Sequence, residues 1–226
     1  MHHLLGVFLL LVVGSAQAIT VTVLPNPGTG GDSVWRAAVV NGPGNNQNAE
    51  DWNTETGAWN GSAVLDLPGG GEEPPTGYFE ANVLSSYVPE SGVYSSYSVS
   101  MDGNILLDKA RAGGGNADGH IFTIVSVAFD QSVKYDYSCG VGTGPTLTGE
   151  ISGLGFLNCG DSGTLLAGSY TLEIFGDGES NQQNYFLDFE SATMTFTNAA
   201  VPIPAAAYLF ASGLGLLGWF RRRKTT

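Results

Sequence analysis

Apolar residues fall into three regimes along the chain. Leu4 to Val13 is one continuous apolar run near the N-terminus, and no charge interrupts Val201 to Phe220 near the C-terminus. Between them the apolar positions come in short bursts of Val, Ile, Tyr and Phe, broken by Gly, Asn, Asp and Pro. That rhythm predicts strands, because strand side chains alternate between faces whereas helices repeat every three to four residues.

Strands are predicted over Ile19–Leu24, Val34–Asn41, Ala63–Leu67, Tyr78–Tyr87, Val93–Met101 and Ile105–Asp108. Others follow over His120–Phe129, Ser132–Cys139, Leu147–Leu157, Ser169–Phe175 and Tyr185–Thr197. Alternation assigns Val133, Tyr135 and Tyr137 to one face and Lys134, Asp136 and Ser138 to the other. In the last strand it turns Met194 and Phe196 inward and Thr193, Thr195 and Thr197 outward. Asp102-Gly103-Asn104, Asp118-Gly119 and Asp177-Gly178 carry the composition of hairpin turns. The fold class expected is all-β, a single β-sandwich or jelly-roll-like domain of about eight to eleven strands. Asn41–Asn48 and Pro68–Gly77 read as loops, and the stretch between them, with Trp52 and Trp59, reads as a loosely attached flap.

The two apolar segments frame this domain. Leu4–Val13 has the length of a signal-peptide core, and Ala16-Gln17-Ala18 is a small-x-small cleavage site. Residues 1–18 are therefore expected to be a helical signal peptide, and residues 19–200 the exported domain, loop-rich over 41–77. In residues 201–226 the uncharged stretch matches the roughly 20 residues a helix needs to cross a bilayer core of about 30 Å. The basic residues Arg221, Arg222, Arg223 and Lys224 then hold the C-terminus on the cytoplasmic side.

That tail opens on Val201-Pro202-Ile203-Pro204 and continues through Ala205-Ala206-Ala207, Tyr208-Leu209-Phe210 and Ser212-Gly213-Leu214. With the closing Arg/Lys cluster, it resembles the PEP-CTERM sorting signal of Gram-negative bacteria, in the V-P-L/I-P-A-A-x-W/Y-L-F-x-S-G-L form. Ile203 stands where the type form has Glu. The resemblance covers residues 201–224 and implies a sorting partner, the membrane-embedded, transpeptidase-like exosortase. It also implies an intermediate anchored in the inner membrane and a destination at the cell surface or in the extracellular matrix. A permanent single-pass anchor shares the apolar length and the small residues Ala207, Ala211 and Gly215. The Val-Pro-Ile-Pro opening favours sorting.

Charge follows the same division. Four of the eight Lys and Arg stand in the tail, and all 21 Asp and Glu lie between the two apolar segments. The exported domain is thus strongly acidic, which excludes nucleic acid as a partner and suits solubility or cation contact. The chain has two cysteines, Cys139 and Cys159. In an oxidising compartment they are expected to form a disulfide.

Candidate chemistry is sparse. His120 is the domain's one histidine, expected at a surface strand edge, with Asp118 too near in sequence to orient it as a catalytic base. Glu173 with Asp188 or Glu190, on strands expected to be adjacent, is the candidate glycosidase pair, which requires about 5 to 9.5 Å between carboxyl groups. Asp177, Glu179 and Asn181 alternate, and Asp188 stands twelfth from Asp177. That spacing suits Ca²⁺, although Gln182 occupies the position where a calcium loop has Gly. A solvated hairpin loop is the other reading of that segment. Trp35, Trp52, Trp59, Tyr78, Tyr94 and Tyr97 are candidates for stacking on sugar rings. Two functions are carried forward. The first is a surface or matrix protein acting by adhesion, glycan contact or assembly, with exopolysaccharide as a partner. The second is a secreted polysaccharide-active enzyme using acidic residues.

Overall fold

The computed structural model describes residues 18–25, 31–42, 48–67, 77–109, 116–180 and 184–199. The expected signal peptide up to Gln17, the sorting motif Val201–Pro204, the apolar tail, Arg221–Lys224 and Asn181 lie outside the described residues. Among the described residues no helix is long and apolar enough to cross a membrane.

The described chain is all-β. Its strands are β1 (Ile19–Val23), β2 (Val34–Asn41), β3 (Asn48–Asn53), β4 (Gly57–Leu67), β5 (Gly77–Val88), β6 (Gly92–Tyr94) and β7 (Ser96–Lys109). They continue with β8 (Ala117–Phe129), β9 (Val133–Cys139), β10 (Thr148–Ile151), β11 (Gly155–Leu157), β12 (Ser162–Leu165), β13 (Gly168–Ser180) and β14 (Tyr185–Asn198). Sheet A runs β11-β10-β13-β8-β1-β6, with β2 also paired to β8 and β3 outside β2. Sheet B runs β12-β9-β14-β7-β5-β4. Pairing between named strands is antiparallel throughout.

One apolar core lies between the sheets, built from Val34, Ile121, Val125 and Ile174 of sheet A and Phe79, Ile105, Leu107, Met194 and Phe196 of sheet B. The predicted faces of β9 and β14 hold: Tyr137, Met194 and Phe196 are buried, and Lys134, Asp136 and Ser138 are exposed.

The three Asp-Gly signals do not mark turns. Gly103, Gly119 and Gly178 lie inside the long strands β7, β8 and β13, each pointing inward, with the preceding Asp on the outer face. A Cβ on Gly103 would crowd the Asn82 carbonyl and stand 2.6 Å from Ile121 Cδ1, and one on Gly119 would stand 2.6 Å from Ile105 Cγ2. Glycine here permits close approach of the sheets, with Ile105 and Ile121 filling the space that Cβ atoms would take.

The expected flap is instead built into both sheets. β3 pairs with β2 in sheet A, and β4 pairs with β5 in sheet B. Arg36 clasps the turn between them. It points inward from β2, 1% exposed, and donates from Nη1 to the carbonyls of Gly57 (2.9 Å) and Ser86 (3.2 Å). From Nη2 it donates to Asn53 Oδ1 (2.5 Å) and to the Glu55 carbonyl. Its guanidinium lies 5.5 Å from the centre of the Trp59 ring. Beside it, the buried hydroxyls of Ser86 and Thr123 meet at 2.6 Å across the two sheets. Burial pulls the Arg36 pKa down to about 10, partly offset by Glu55, so the side chain stays charged at neutral pH.

Cys139 and Cys159 stand at disulfide distance, with Cα atoms 5.5 Å apart. The pair joins the end of β9 in sheet B to the turn following β11 in sheet A.

Candidate functional site

The outer face of sheet A carries an apolar groove, which is unusual for a surface open to water. Because β8 is apolar on both sides, Phe122 and Ile124 face outward while Ile121 and Val125 face the core. On β2, Arg36 takes the inward position, and alternation therefore sends Trp35, Ala37 and Val39 out. β3 adds Trp52, directly opposite Ala37, and Glu50, directly opposite Val39. Ala37 is itself opposite Phe122 on β8.

The result is a groove of about 530 Å³ with Ala37 and Val39 as its floor. Trp35, Trp52 and Phe122 line it, with Asp32, Glu50 and Thr54. Trp35 meets Phe122 edge-on, ring centres 5.0 Å apart, and Trp52 is 61% exposed. A contiguous exposed apolar patch rimmed by polar groups marks a binding surface.

Beyond Phe122, the same face continues onto β13 and β10. Phe175 stands opposite Phe122, and Glu173 stands opposite both Ile124 and Glu150. Phe156 packs against Phe175 with ring centres 6.2 Å apart. Burial first, and then Glu150 and Asp177, push the Glu173 carboxyl above the usual carboxylate range.

His120 lies on a central strand of the sheet and not at an edge, since β13 and β2 flank β8. Its Nδ1 is 2.7 Å from Asp177 Oδ1 and its Nε2 is 2.8 Å from Asp118 Oδ2. Asn41 Nδ2 also donates to Asp118 Oδ2, at 2.7 Å. Asp118 does reach the ring, contrary to the sequence expectation, because residues two apart on a strand share a face. Burial disfavours the imidazolium, but the two carboxylates outweigh it, and the His120 pKa is raised. With each ring nitrogen facing a carboxylate, the imidazole clips β8 to β13, and more firmly when it is protonated.

A raised folded pKa means stability that is complete below the unfolded value near 6.5 and is lost as pH rises through the folded value. Unfolding followed from about pH 6 to about pH 9 is expected to show a stability decrease of under about 1 kcal/mol, small because the site is half open to water. His120→Gln is expected to remove that slope.

The remaining sequence candidates are not brought together. Glu173 faces outward on sheet A, whereas Asp188 and Glu190 belong to β14 of sheet B, so β13 and β14 are not neighbours. Glu190 Oε1 accepts from the Gly144 amide at 3.0 Å, which fastens the preceding glycine-rich loop to β14. Glu150, not proposed from sequence, is the carboxylate that stands opposite Glu173. The calcium spacing fails for a related reason. β13 extends through Ser180, so Asp177 and Glu179 are strand residues, held by His120 and by Asn116 Nδ2 (2.6 Å). Asp188 lies across the fold in sheet B. Among the described residues no group of three or more His, Cys, Asp or Glu is arranged to hold a metal ion.

Of the six aromatic candidates, only Trp35 and Trp52 line the groove. Trp59 packs against the core under Arg36, and Tyr97 is fully buried. Tyr94 stacks edge-on against Tyr97, and Tyr78 is engaged with Glu80 at 2.8 Å on β5 of sheet B. Phe122, which is not among the aromatic candidates named from the sequence, completes the groove.

No protein-family model matches the chain, nor does any curated protein or any solved structure.

Proposed function

We propose that this chain is an exported surface or matrix protein whose β-sandwich domain, jelly-roll-like in layout, binds glycan on the outer face of sheet A. The observation that supports this reading is the groove between Trp35, Trp52 and Phe122. Indole faces offer sugar rings an apolar, polarisable platform, and Glu50, Asp32 and Thr54 supply acceptors for hydroxyls at its rim. In this reading the signal peptide exports the chain, and exosortase acts on the Val201–Pro204 motif while the tail holds the inner membrane. An oxidising compartment then favours the Cys139–Cys159 disulfide.

A glycan array probed with the exported chain tests the binding, with retention on at least one polysaccharide expected. For sorting, replacing Pro202 and Pro204 with Ala, or deleting Arg221–Lys224, is expected to leave full-length protein in the inner membrane. Mature-sized mutant protein at the cell surface would refute the sorting step.

A second reading, a polysaccharide-active enzyme, has one specific feature behind it. Glu150 and Glu173 are directly opposed beside Phe156 and Phe175, and Glu173 has the raised pKa that suits a general acid. Turnover of a polysaccharide that Glu173→Gln abolishes would establish this reading over the first.

A further inference from the structure

We infer that the groove on sheet A takes a cationic glycan, a polymer whose sugar rings carry free amino groups, in preference to neutral or anionic chains. The inference rests on the glycan reading above and specifies the ligand's charge.

Three observations carry it. The walls are aromatic, and the faces of Trp and Phe attract ammonium groups as well as stacking on sugar rings. The charges lining the groove are carboxylates, Asp32 and Glu50, and the neighbouring strand adds Glu173, Asp177 and Glu179 on the same face. The positive side chains placed by the structure are turned away or already engaged. Arg36 is buried beneath the groove and donates to carbonyls and Asn53, and His120 is held between Asp118 and Asp177. Lys134 stands on the far side of the molecule, on the outer face of sheet B. An anionic polymer such as a uronate or sulfated chain would thus bring its charges against carboxylates, with no cation among the described side chains of this face free to meet them. An ammonium on a sugar ring stacked over Trp52 would lie within reach of Glu50, whose Oε1 otherwise accepts only from the neighbouring Asn48 (2.7 Å) among the described hydrogen bonds. Charge complementarity selects the amino sugar.

The test uses glucosamine oligomers, their N-acetylated counterparts and oligouronates as probes. Binding is measured calorimetrically at a pH where the amines are protonated, at low and high salt. The free-amine oligomer is expected to bind about tenfold tighter than the acetylated one, an advantage that shrinks as salt rises. Glu50→Gln is expected to remove most of that advantage, weakening the free-amine oligomer far more than the acetylated one. Asp136→Asn, the same charge change on the opposite sheet, is expected to leave it unchanged. Trp52→Ala is expected to weaken both oligomers. Equal or tighter binding of the acetylated or uronate probe would overturn the charge inference and leave the platform standing. So would equal effects of Glu50→Gln and Asp136→Asn, which would assign the advantage to overall acidity. Failure of every oligomer to bind would overturn the glycan reading itself. Displacement of the bound oligomer by an equal concentration of a lysine-rich peptide would overturn the inference in favour of a protein partner.

Discussion

Arg36→Ala is expected to destabilise the folded chain by about 3 kcal/mol or more, lowering the unfolding midpoint by roughly 10 °C. The side chain spans the boundary between the sheets, where one guanidinium supplies donors to Gly57, Ser86 and Glu55 carbonyls and to Asn53 Oδ1. Truncation leaves these acceptors without their donor in a region that water reaches poorly, and each buried orphan costs about 1–3 kcal/mol. It also removes the cation over Trp59 and leaves a cavity beside the Ser86–Thr123 pair. Arg36→Lys keeps the charge but loses the planar fork, so it is expected to recover only part of the loss. Urea unfolding checks both variants. A midpoint within error of the parent for Arg36→Ala would show that the clasp contributes little. Because Trp35 and Trp52 are held by the strands this clasp joins, Arg36→Ala is also expected to weaken any ligand binding in the groove.

Loss of the Cys139–Cys159 link is the second large effect, expected to cost about 3 kcal/mol for a loop of this length in the chain-entropy model. The link bridges the sheets near the edge where β11 and β12 are short, and short strands contribute few pairings of their own. Some hold remains without it. Gly160 N donates to the Tyr137 carbonyl at 2.7 Å, and Tyr137 N donates to the Asp161 carbonyl at 2.8 Å. Tyr137 Oη also donates to the Leu147 carbonyl at 2.6 Å, tying β9 to the segment entering β10. Cys139→Ser with Cys159→Ser is therefore expected to lower the unfolding midpoint while the fold persists. Hydrogen exchange should rise first over β11 and β12. Insensitivity of the oxidised protein's midpoint to a reducing agent would contradict this.

The sequence revealed the fold class and most long strands because alternation in segments such as β9 and β14 follows directly from one wet and one dry face. Its failures are local and share a cause. Asp-Gly pairs are turn-formers in isolation, but in β7, β8 and β13 the same pairs set a carboxylate outward and a cleft for an opposing isoleucine or leucine inward. Composition does not distinguish a glycine that bends the chain from one that lets another sheet come near. β3 escaped notice because Asn48–Asn53 is polar and acidic, with little strand propensity, and is ordered by pairing with β2 and by Arg36.

The groove was half legible. Trp35 and Trp52 stand out as large aromatics in the sequence, yet their shared face depends on Arg36 turning inward. Local pattern disfavours that inversion, and the carbonyls of Gly57, Ser86 and Glu55, with Asn53 Oδ1 and the Trp59 ring, make it stable. Phe122 was hidden for the opposite reason, since an apolar run such as His120–Phe129 reads as buried on both faces. The facing of Glu150 and Glu173, and the capture of His120 by Asp177, depend on strand order, which periodicity does not encode.

The most direct test follows the indole N–H signals of Trp35, Trp52 and Trp59 by NMR as a bound oligosaccharide is titrated into the protein. Glycan contact on sheet A predicts that the Trp35 and Trp52 signals shift in step with saturation, and that Trp59, packed under Arg36, stays in place. Trp52→Ala should weaken binding by about tenfold or more, as loss of an aromatic platform does. Saturable binding that leaves both groove indoles unmoved, or that survives Trp52→Ala at full strength, would contradict it.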